Sequence, residues 1–262
     1  MRRVCSMASL VGAVVLLAAT PSAAQPPGGC QDVPAHAQVQ KALAAAQAES
    51  NGGLGFHMWA AIVDRDGIVC AVVHTGGDRG DQWPGSRVIS AQKANTANAF
   101  SLPKFALSTA NLFSAVQPGG SLFGLQHSNP VDTAAAYAGP AARYGTTTDP
   151  LRGKRIGGVN VFGGGLALYS TAGRLLGAIG VSGDTSCADH IIAWKTRHAL
   201  NLDNVPAGVA GDGKDNIIHD VAVDSGTGHT VSKGGFGHPG CSAESTKIAN
   251  ALPTSHPTGA AR

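Results

Sequence analysis

The sequence predicts an α+β domain in which helices pack to one side of an antiparallel sheet. Pairs of apolar, β-prone runs flank short turns within residues 56–74 and 161–183, so the strands come as hairpins and not as strand–helix–strand crossovers. Segments with helical spacing lie before, between and after these hairpins. Consecutive strands that pair in hairpins run antiparallel, and the helices between them are left to cover the sheet.

The first three elements follow from local signals. Residues 35–50 are Ala-rich, carry apolar residues at helical spacing and stop at a Gly-Gly pair, which predicts a helix. Asp66-Gly67 separates two apolar runs and predicts a tight hairpin turn. Residues 86–100 predict a second helix. One face of this helix carries Ile89, Lys93, Thr96 and Phe100.

The rest of the chain contains one long connection, a second hairpin and an extension. Residues 108–158 are loop-rich, with a short helix predicted near 109–116, and long connections of this kind are usually functional in compact domains. The second hairpin is followed by a closing helix at residues 185–200. We therefore assign residues 25–203 to one domain. Residues 204–262, rich in Gly, Asp and His, form a C-terminal extension, and their last dozen residues predict disorder.

The beginning of the chain and its charge indicate an exported protein. Residues 1–24 combine a basic start, a short apolar run and small residues before Gln25, as a signal peptide does. No later segment is long and apolar enough to predict a membrane span. Without Arg2 and Arg3 the chain holds 17 basic and 16 acidic residues, so nothing predicts nucleic-acid binding. We expect a secreted or periplasmic protein.

The four cysteines beyond the signal peptide favour two disulfides in an oxidising compartment. Their positions suggest the pairs Cys30–Cys70 and Cys187–Cys241. The second pair has an alternative. Cys187-x-x-His190 and His238-x-x-Cys241 are mirrored motifs whose two thiolates and two imidazoles would suit tetrahedral zinc. Export favours the disulfide, and we assign no metal site.

The glycine-rich stretch at residues 161–183 does not predict a nucleotide site. It lacks both the dinucleotide fingerprint and the Lys-Ser/Thr pair of a phosphate loop, and no helix begins after its glycines. Gly163, Gly164 and Gly165 precede a strand, where they permit a sharp bend or a close approach of two backbones. The alternative is a loop that faces a ligand.

Several motifs resemble the GlcG/HbpS family of haem-binding proteins, which is related to the C-terminal domain of PduO. They are SAQKANTANAF, QPGGSLFGL, GGVNVFGGGLALY and GAIGVSGDTSCADH, and the resemblance covers about residues 36–200. It implies a PAS- or profilin-like domain with a five-stranded antiparallel sheet and a tendency to form homo-oligomers. It also implies binding of haem, iron or a corrinoid, with possible links to haem breakdown, redox sensing or a sensor-protein partner.

The candidate haem-binding residues are Lys93, Thr96, His127 and the three glycines at 163–165. The family also places a lysine at the position of Lys93. Its ammonium is either a cation for a haem propionate or a snorkelling side chain. His127 lies in the long connection that could cover a pocket, so it is the candidate axial ligand. The chain has no C-x-x-C-H motif for covalent haem attachment.

The sequence therefore predicts an exported haem- or tetrapyrrole-binding protein with a role in haem or iron handling or in redox sensing. The alternative is a non-catalytic module on the same scaffold that binds a small carboxylate or another protein. The chain has no G-x-S-x-G elbow and no H-E-x-x-H motif, so we assign no catalytic residue. Haem degradation stays open, because the cofactor would supply most of that chemistry.

Overall fold

The computed structural model describes residues 29–259, and the expected signal peptide at residues 1–24 lies outside this range. The strands come in consecutive pairs that are separated by helices along the described chain. In chain order the helices and strands are α1 (His36–Gln47), β1 (Trp59–Asp64), β2 (Val69–His74), α2 (Ser86–Ala99), α3 (Thr133–Ala136), β3 (Gly165–Tyr169), β4 (Leu175–Ser182), α4 (Ser186–Ala199), β5 (Val221–Val223), β6 (Thr230–Ser232) and α5 (Ala243–Ser255). Four short 3-10 turns lie before α1 and in the connection between α2 and β3.

The centre of the fold is an antiparallel sheet with the strand order β2-β1-β4-β3. Both predicted hairpins are present, and β1 and β4 pair between them, so that Ile62 lies opposite Ala71 on one side and Ile179 on the other. Gly67 has a φ of 75°, the left-handed conformation that the first hairpin turn requires. The α+β fold class is confirmed.

Helices cover both faces of this sheet, not one. Ala61 and Val63 pack with α2, whereas Ala60 and Ile62 belong to the core beneath α1 and α4. Every residue of β1 is buried for that reason. The run of six residues with little polar alternation is the sequence signal of a strand covered on both faces, and it argues against the one-sided arrangement that hairpins alone suggest.

The described sheet has four strands, where the family resemblance implied five. The outer edge of β3 is instead covered by chain that makes isolated contacts. The amide of Tyr169 donates to the carbonyl of Leu202 at 2.8 Å, and Tyr169 forms an isolated parallel bridge with Asp203. These contacts satisfy the edge without a continuous ladder, so no fifth strand forms there.

The C-terminal extension completes the main core. Ala249 and Leu252 of α5 are fully buried, and they share a cluster with Ile191 and Trp194 of α4. Ser242 caps α5 by accepting a hydrogen bond from the amide of Ser245 at 3.0 Å. The sequence predicts disorder for the last dozen residues, whereas α5 runs to Ser255. Its apolar face is buried on α4, which explains why a polar, Gly-rich extension ends in a helix.

The helices are short. The longest in the described range, α2 and α4, have 14 residues each. About 20 apolar residues are needed to span a bilayer as a helix. No helix within residues 29–259 meets both requirements of length and apolar character.

Candidate functional site

An aromatic cleft of about 430 Å³ lies where β1 meets the loop after β2 and the segment after α3. Trp59, Tyr137 and Tyr144 line it with apolar surface. Its volume falls in the range of small-molecule sites, which are mostly apolar with a few polar groups. The volume and the lining therefore suit a small, largely apolar ligand.

Trp59, one of the rings that line this cleft, has an unsatisfied donor. Its side chain is 1% exposed and packs edge-on against the ring of His74, with 5.0 Å between ring centroids. The indole Nε1 is buried and has no hydrogen-bond partner among the described residues. A buried donor without an acceptor is costly and calls for an explanation.

Arg87 at the start of α2 holds one wall of the cleft in place. Its guanidinium lies 3.6 Å from the centroid of the Tyr144 ring and forms a bidentate, buried ion pair with Asp149. It also donates to the carbonyl of Ala136 at 2.9 Å. Asp149 in turn accepts from the amide of Gly145 at 2.7 Å. One arginine thus joins helix α2 to both ends of the segment that carries the two tyrosines.

The rim of the cleft is polar and accessible. Arg79 lines it and pairs with the neighbouring Asp78 at 3.3 Å, and both side chains are largely exposed. Exposed pairs of this kind contribute little to stability, so Arg79 can exchange its partner at low cost. Tyr137 is 64% exposed and presents its ring to the same cleft.

Lys93, the predicted pocket cation, is buried in the fold. It is 2% exposed, and its Nζ donates to Asp189 Oδ2 at 2.7 Å and to the carbonyl of Val181 at 3.2 Å. Burial raises the pKa of Asp189 to about 6, and the ammonium of Lys93 opposes this shift. The structure therefore joins Lys93 to α4, and its charge is directed at a carboxylate of the protein.

The predicted glycines lie directly over this ion pair. Gly164 has a φ of 122°, and a Cβ at this position would lie 3.1 Å from the Nζ of Lys93. A Cβ at Gly163 would meet the carbonyl of Ser186, and one at Gly165 would meet the carbonyl of Lys93. All three glycines thus permit close packing of the turn against α2 and α4, as the structural interpretation of the sequence expects.

Thr96 and His127 lie in different environments. Thr96 is fully buried, and its hydroxyl accepts from the amide of Asn160 at 2.9 Å and donates to the carbonyl of Gln92 at 2.8 Å. His127 is exposed in the loop between α2 and α3. The structure thus brings Lys93, Thr96 and the glycines to one packed junction, while His127 stays on the surface.

Both disulfides have the pairing that the sequence suggested, Cys30–Cys70 and Cys187–Cys241. The zinc alternative named His190, which turns to Asn216, with 3.1 Å between its Nε2 and Asn216 Oδ1. Burial lowers the pKa of His190 to about 3, so its ring is neutral. His219, which sequence spacing did not single out, lies beside Cys187 and His238 instead.

Sequence reasoning missed the aromatic cleft. Its rings come from β1 and from residues 137–144, which are far apart in the chain, and Arg87 looks like an ordinary polar residue at the start of a helix. The one available signal was the pair of tyrosines in the long connection, in a sequence with only three tyrosines. Aromatic residues in such a loop favour a binding surface.

The sequence matches a family model described as haem degrading protein HbpS-like over residues 35–197. A search of curated proteins finds no significant match. Similar solved structures include a PduOC:heme complex, with 25% identity, 63% of this chain and 91% of that chain covered, and a TM-score of 0.44. Klebsiella pneumoniae protein ORFY shares 24% identity over 64% and 90% of the two chains, with a TM-score of 0.42. A double mutant of Streptomyces reticuli HbpS shares 17% identity over 72% and 99%, with a TM-score of 0.40.

Proposed function

Because this chain belongs to the family of HbpS-like haem degrading proteins, we propose that it binds haem or a related tetrapyrrole in the aromatic cleft. The observation that carries this placement is the set of three rings, Trp59, Tyr137 and Tyr144, around an apolar volume of about 430 Å³. A porphyrin is flat and mostly apolar, and it would stack on the accessible rings of Tyr137 and Tyr144. Trp59 Nε1, buried without a partner among the described residues, would gain an acceptor if a polar atom of the ligand reached it.

Two residues of the cleft would hold a bound haem. Haem iron accepts a tyrosine oxygen as an axial ligand, and Tyr137 is the accessible phenol at this cleft. Arg79 at the rim provides a cation for a propionate, for which a guanidinium is well shaped. Bound haem would supply the redox chemistry, while the protein holds and orients it.

The candidate residues of the sequence define a second possible haem site. There the haem would lie against Lys93, Thr96 and the Gly163–Gly165 turn, and His127 would be the axial ligand. For a propionate to reach Lys93, the ion pair with Asp189 would have to open, leaving a buried carboxylate without its cation. We therefore favour the aromatic cleft and keep His127 as the competing axial ligand.

A hemin titration of the purified chain tests binding and placement together. We expect a saturable Soret shift with micromolar protein. Tyr137→Phe removes only the phenol oxygen and should change the Soret spectrum, whereas His127→Ala should leave it unchanged. The opposite result would move the site to the His127 loop. Absence of any saturable shift would overturn haem binding, and a rise in Tm with glycolate-like acids alone would support the small-carboxylate alternative.

Export and self-association belong to the same proposal. Two disulfides and the signal-like residues 1–24 support a periplasmic or secreted protein. Fractionation of cells that express the chain with and without residues 1–24 tests this, and export should require them.

We also propose a homo-oligomer, because Phe56, Trp83 and Tyr137 leave apolar surface exposed near the cleft. Light scattering on the purified protein tests it, and a monomer at all concentrations would contradict it.

A role in haem degradation, iron handling or redox sensing would follow from binding. Loss of the Soret band when ascorbate and oxygen are added to the haem complex, with release of chelatable iron, would support degradation. A Soret band stable under these conditions would leave storage or sensing, the latter with a sensor-protein partner, as the role.

A further inference from the structure

Two histidines lie beside the Cys187–Cys241 disulfide, and none of these four residues lines the aromatic cleft. One ligand atom from each of Cys187, His219 and His238 lies within 4.8 Å of the others. Cys241 is bonded to the sulfur of Cys187, so its own sulfur adjoins this group from just outside it. The cluster joins the start of α4 to the C-terminal extension, and three of its four members lie outside the region matched by the family model.

Both histidine rings are oriented as metal ligands are. The Nδ1 atom of His238 lies 2.7 Å from the carbonyl of Pro239, and that of His219 lies 3.3 Å from the carbonyl of His238. A carbonyl only accepts hydrogen bonds, so each Nδ1 carries the proton and each Nε2 has a free lone pair. Metal-bound histidines have this arrangement, with the other ring nitrogen donating to a carbonyl.

Neither free nitrogen has a partner among the described residues. The Nε2 atoms of His219 and His238 are both buried and make no hydrogen bond. His238 is 2% exposed as a whole residue. Unsatisfied buried acceptors are uncommon in folded proteins and call for an explanation, and both of these belong to rings that share a cluster of ligand atoms with Cys187.

The sulfur atoms lie where a thiolate is stabilised. Cys187 is the second residue of α4, and its amide donates to the sulfur of Cys241 at 3.2 Å. Helix N-termini favour negative charge and lower the pKa of nearby thiols. Reduction of this disulfide would thus free two sulfurs beside the rings of His219 and His238, at a helix start that favours the thiolate form.

We infer that Cys187, Cys241, His219 and His238 form a tetrahedral zinc site when the disulfide is reduced, so that this junction holds either the disulfide or the metal. Zinc takes two thiolates and two imidazoles at about 2.3 Å and 2.0 Å. The three ligand atoms that lie within 4.8 Å of one another would therefore draw closer, and the Cys241 sulfur would separate from Cys187 and join them. His219 takes the place that the sequence motif gave to His190.

The change from disulfide to zinc site requires a two-electron reductant, and a dithiol can serve as one. The dithiol gives two electrons and two protons to the Cys187–Cys241 bond, which breaks to two thiols, and the dithiol becomes a cyclic disulfide. Zinc then displaces both thiol protons to solvent as it binds. An oxidant that re-forms the disulfide takes away both thiolate ligands and releases the metal.

Metal titration of the reduced chain tests the site. Cys30, Asp64 and Cys70 form a second group of possible ligands, so the background carries Cys30→Ser and Cys70→Ser, and wild type is measured alongside. After reduction with a phosphine, Co²⁺ should give the visible bands of a tetrahedral thiolate complex at one equivalent. Zn²⁺ should displace it and slow alkylation of Cys187 and Cys241. The oxidised protein should show neither effect.

Single variants assign the ligands. His219→Ala and His238→Ala should each weaken zinc binding by tenfold or more, on the scale seen when metal sites lose supporting groups. His229→Ala, which removes an exposed histidine of the same extension, should leave the affinity unchanged. Equal binding by oxidised and reduced protein, no tetrahedral cobalt spectrum in reduced wild type, or unchanged affinity in both His219→Ala and His238→Ala would overturn the assignment.

Discussion

The Nζ of Lys93 on α2 lies 2.7 Å from Asp189 Oδ2 on α4, and neither side chain is more than 3% exposed. The other carboxylate oxygen of Asp189 accepts from the amides of Gly183 and Asp184 at 3.1 and 2.9 Å. The pair thus joins helices from opposite faces of the sheet around the end of β4. Removal of one member leaves an uncompensated buried charge, which costs more than the pair itself contributes.

Lys93→Met should lower the free energy of unfolding by about 3–5 kcal/mol, because the Asp189 carboxylate loses its cation in the interior. Urea unfolding followed by circular dichroism measures this. Lys93→Met combined with Asp189→Asn should recover part of the loss, since an amide still accepts from the two backbone N–H groups. Lys41→Met on the exposed face of α1 is the control. A loss below about 1 kcal/mol for Lys93→Met would contradict a structural role.

Cys241→Ser should lower the Tm by several degrees under oxidising conditions. The disulfide closes a loop with a sequence separation of 54 residues, and the chain-entropy model gives it about 4 kcal/mol. Thiol counting on the unfolded, unreduced chain that lacks residues 1–24 should give no free thiol in wild type and one in Cys241→Ser. Free thiols in the oxidised wild type would contradict the two pairings.

The sequence predicted those pairings and both hairpins, because each depends on local signals or on the compartment. It predicted that Lys93 belongs to a packed helix face but not its partner, since Asp189 is 96 residues away. The aromatic cleft is even harder to predict from the sequence. Trp59, Arg87 and Tyr144 acquire a common role only through tertiary packing, and no spacing rule connects them. Likewise, α5 is helical because it is buried on α4, which composition does not reveal.

Acid should destabilise the protein between about pH 6.5 and 3 through His190. Burial lowers the pKa of His190 to about 3, below its ordinary value of 6.5. In this window the unfolded chain binds the proton and the folded chain does not, so this contribution to stability is complete above pH 6.5 and falls as the pH falls. Asp189, whose pKa burial raises, acts in the opposite direction below about pH 6.

His190→Gln isolates that contribution. The variant should show a shallower loss of stability on acidification, by up to about 1.4 kcal/mol per pH unit, which corresponds to one proton. Urea unfolding at several pH values from 7 to 4 measures the slope. His127→Gln, in the exposed loop, should keep the wild-type slope. An unchanged slope in His190→Gln would mean that this ring is protonated in the folded protein.

Arg87→Lys should disturb the structure of the aromatic cleft more than that of the sheet. Lysine keeps the charge but loses the bidentate contact with Asp149, the donation to Ala136 and the stacking on Tyr144, and these contacts position the segment that carries both tyrosines. We expect weaker hemin binding, by tenfold or more, and faster proteolysis within residues 137–149. The far-ultraviolet circular dichroism should stay close to wild type, because the hairpins do not depend on this contact.

Arg174→Lys, which alters the exposed pair with Asp32, is the control and should change neither hemin binding nor proteolysis. If Arg87→Lys bound hemin as wild type does while residues 137–149 became sensitive to protease, the ligand would have to lie elsewhere, and the His127 loop would become the preferred site.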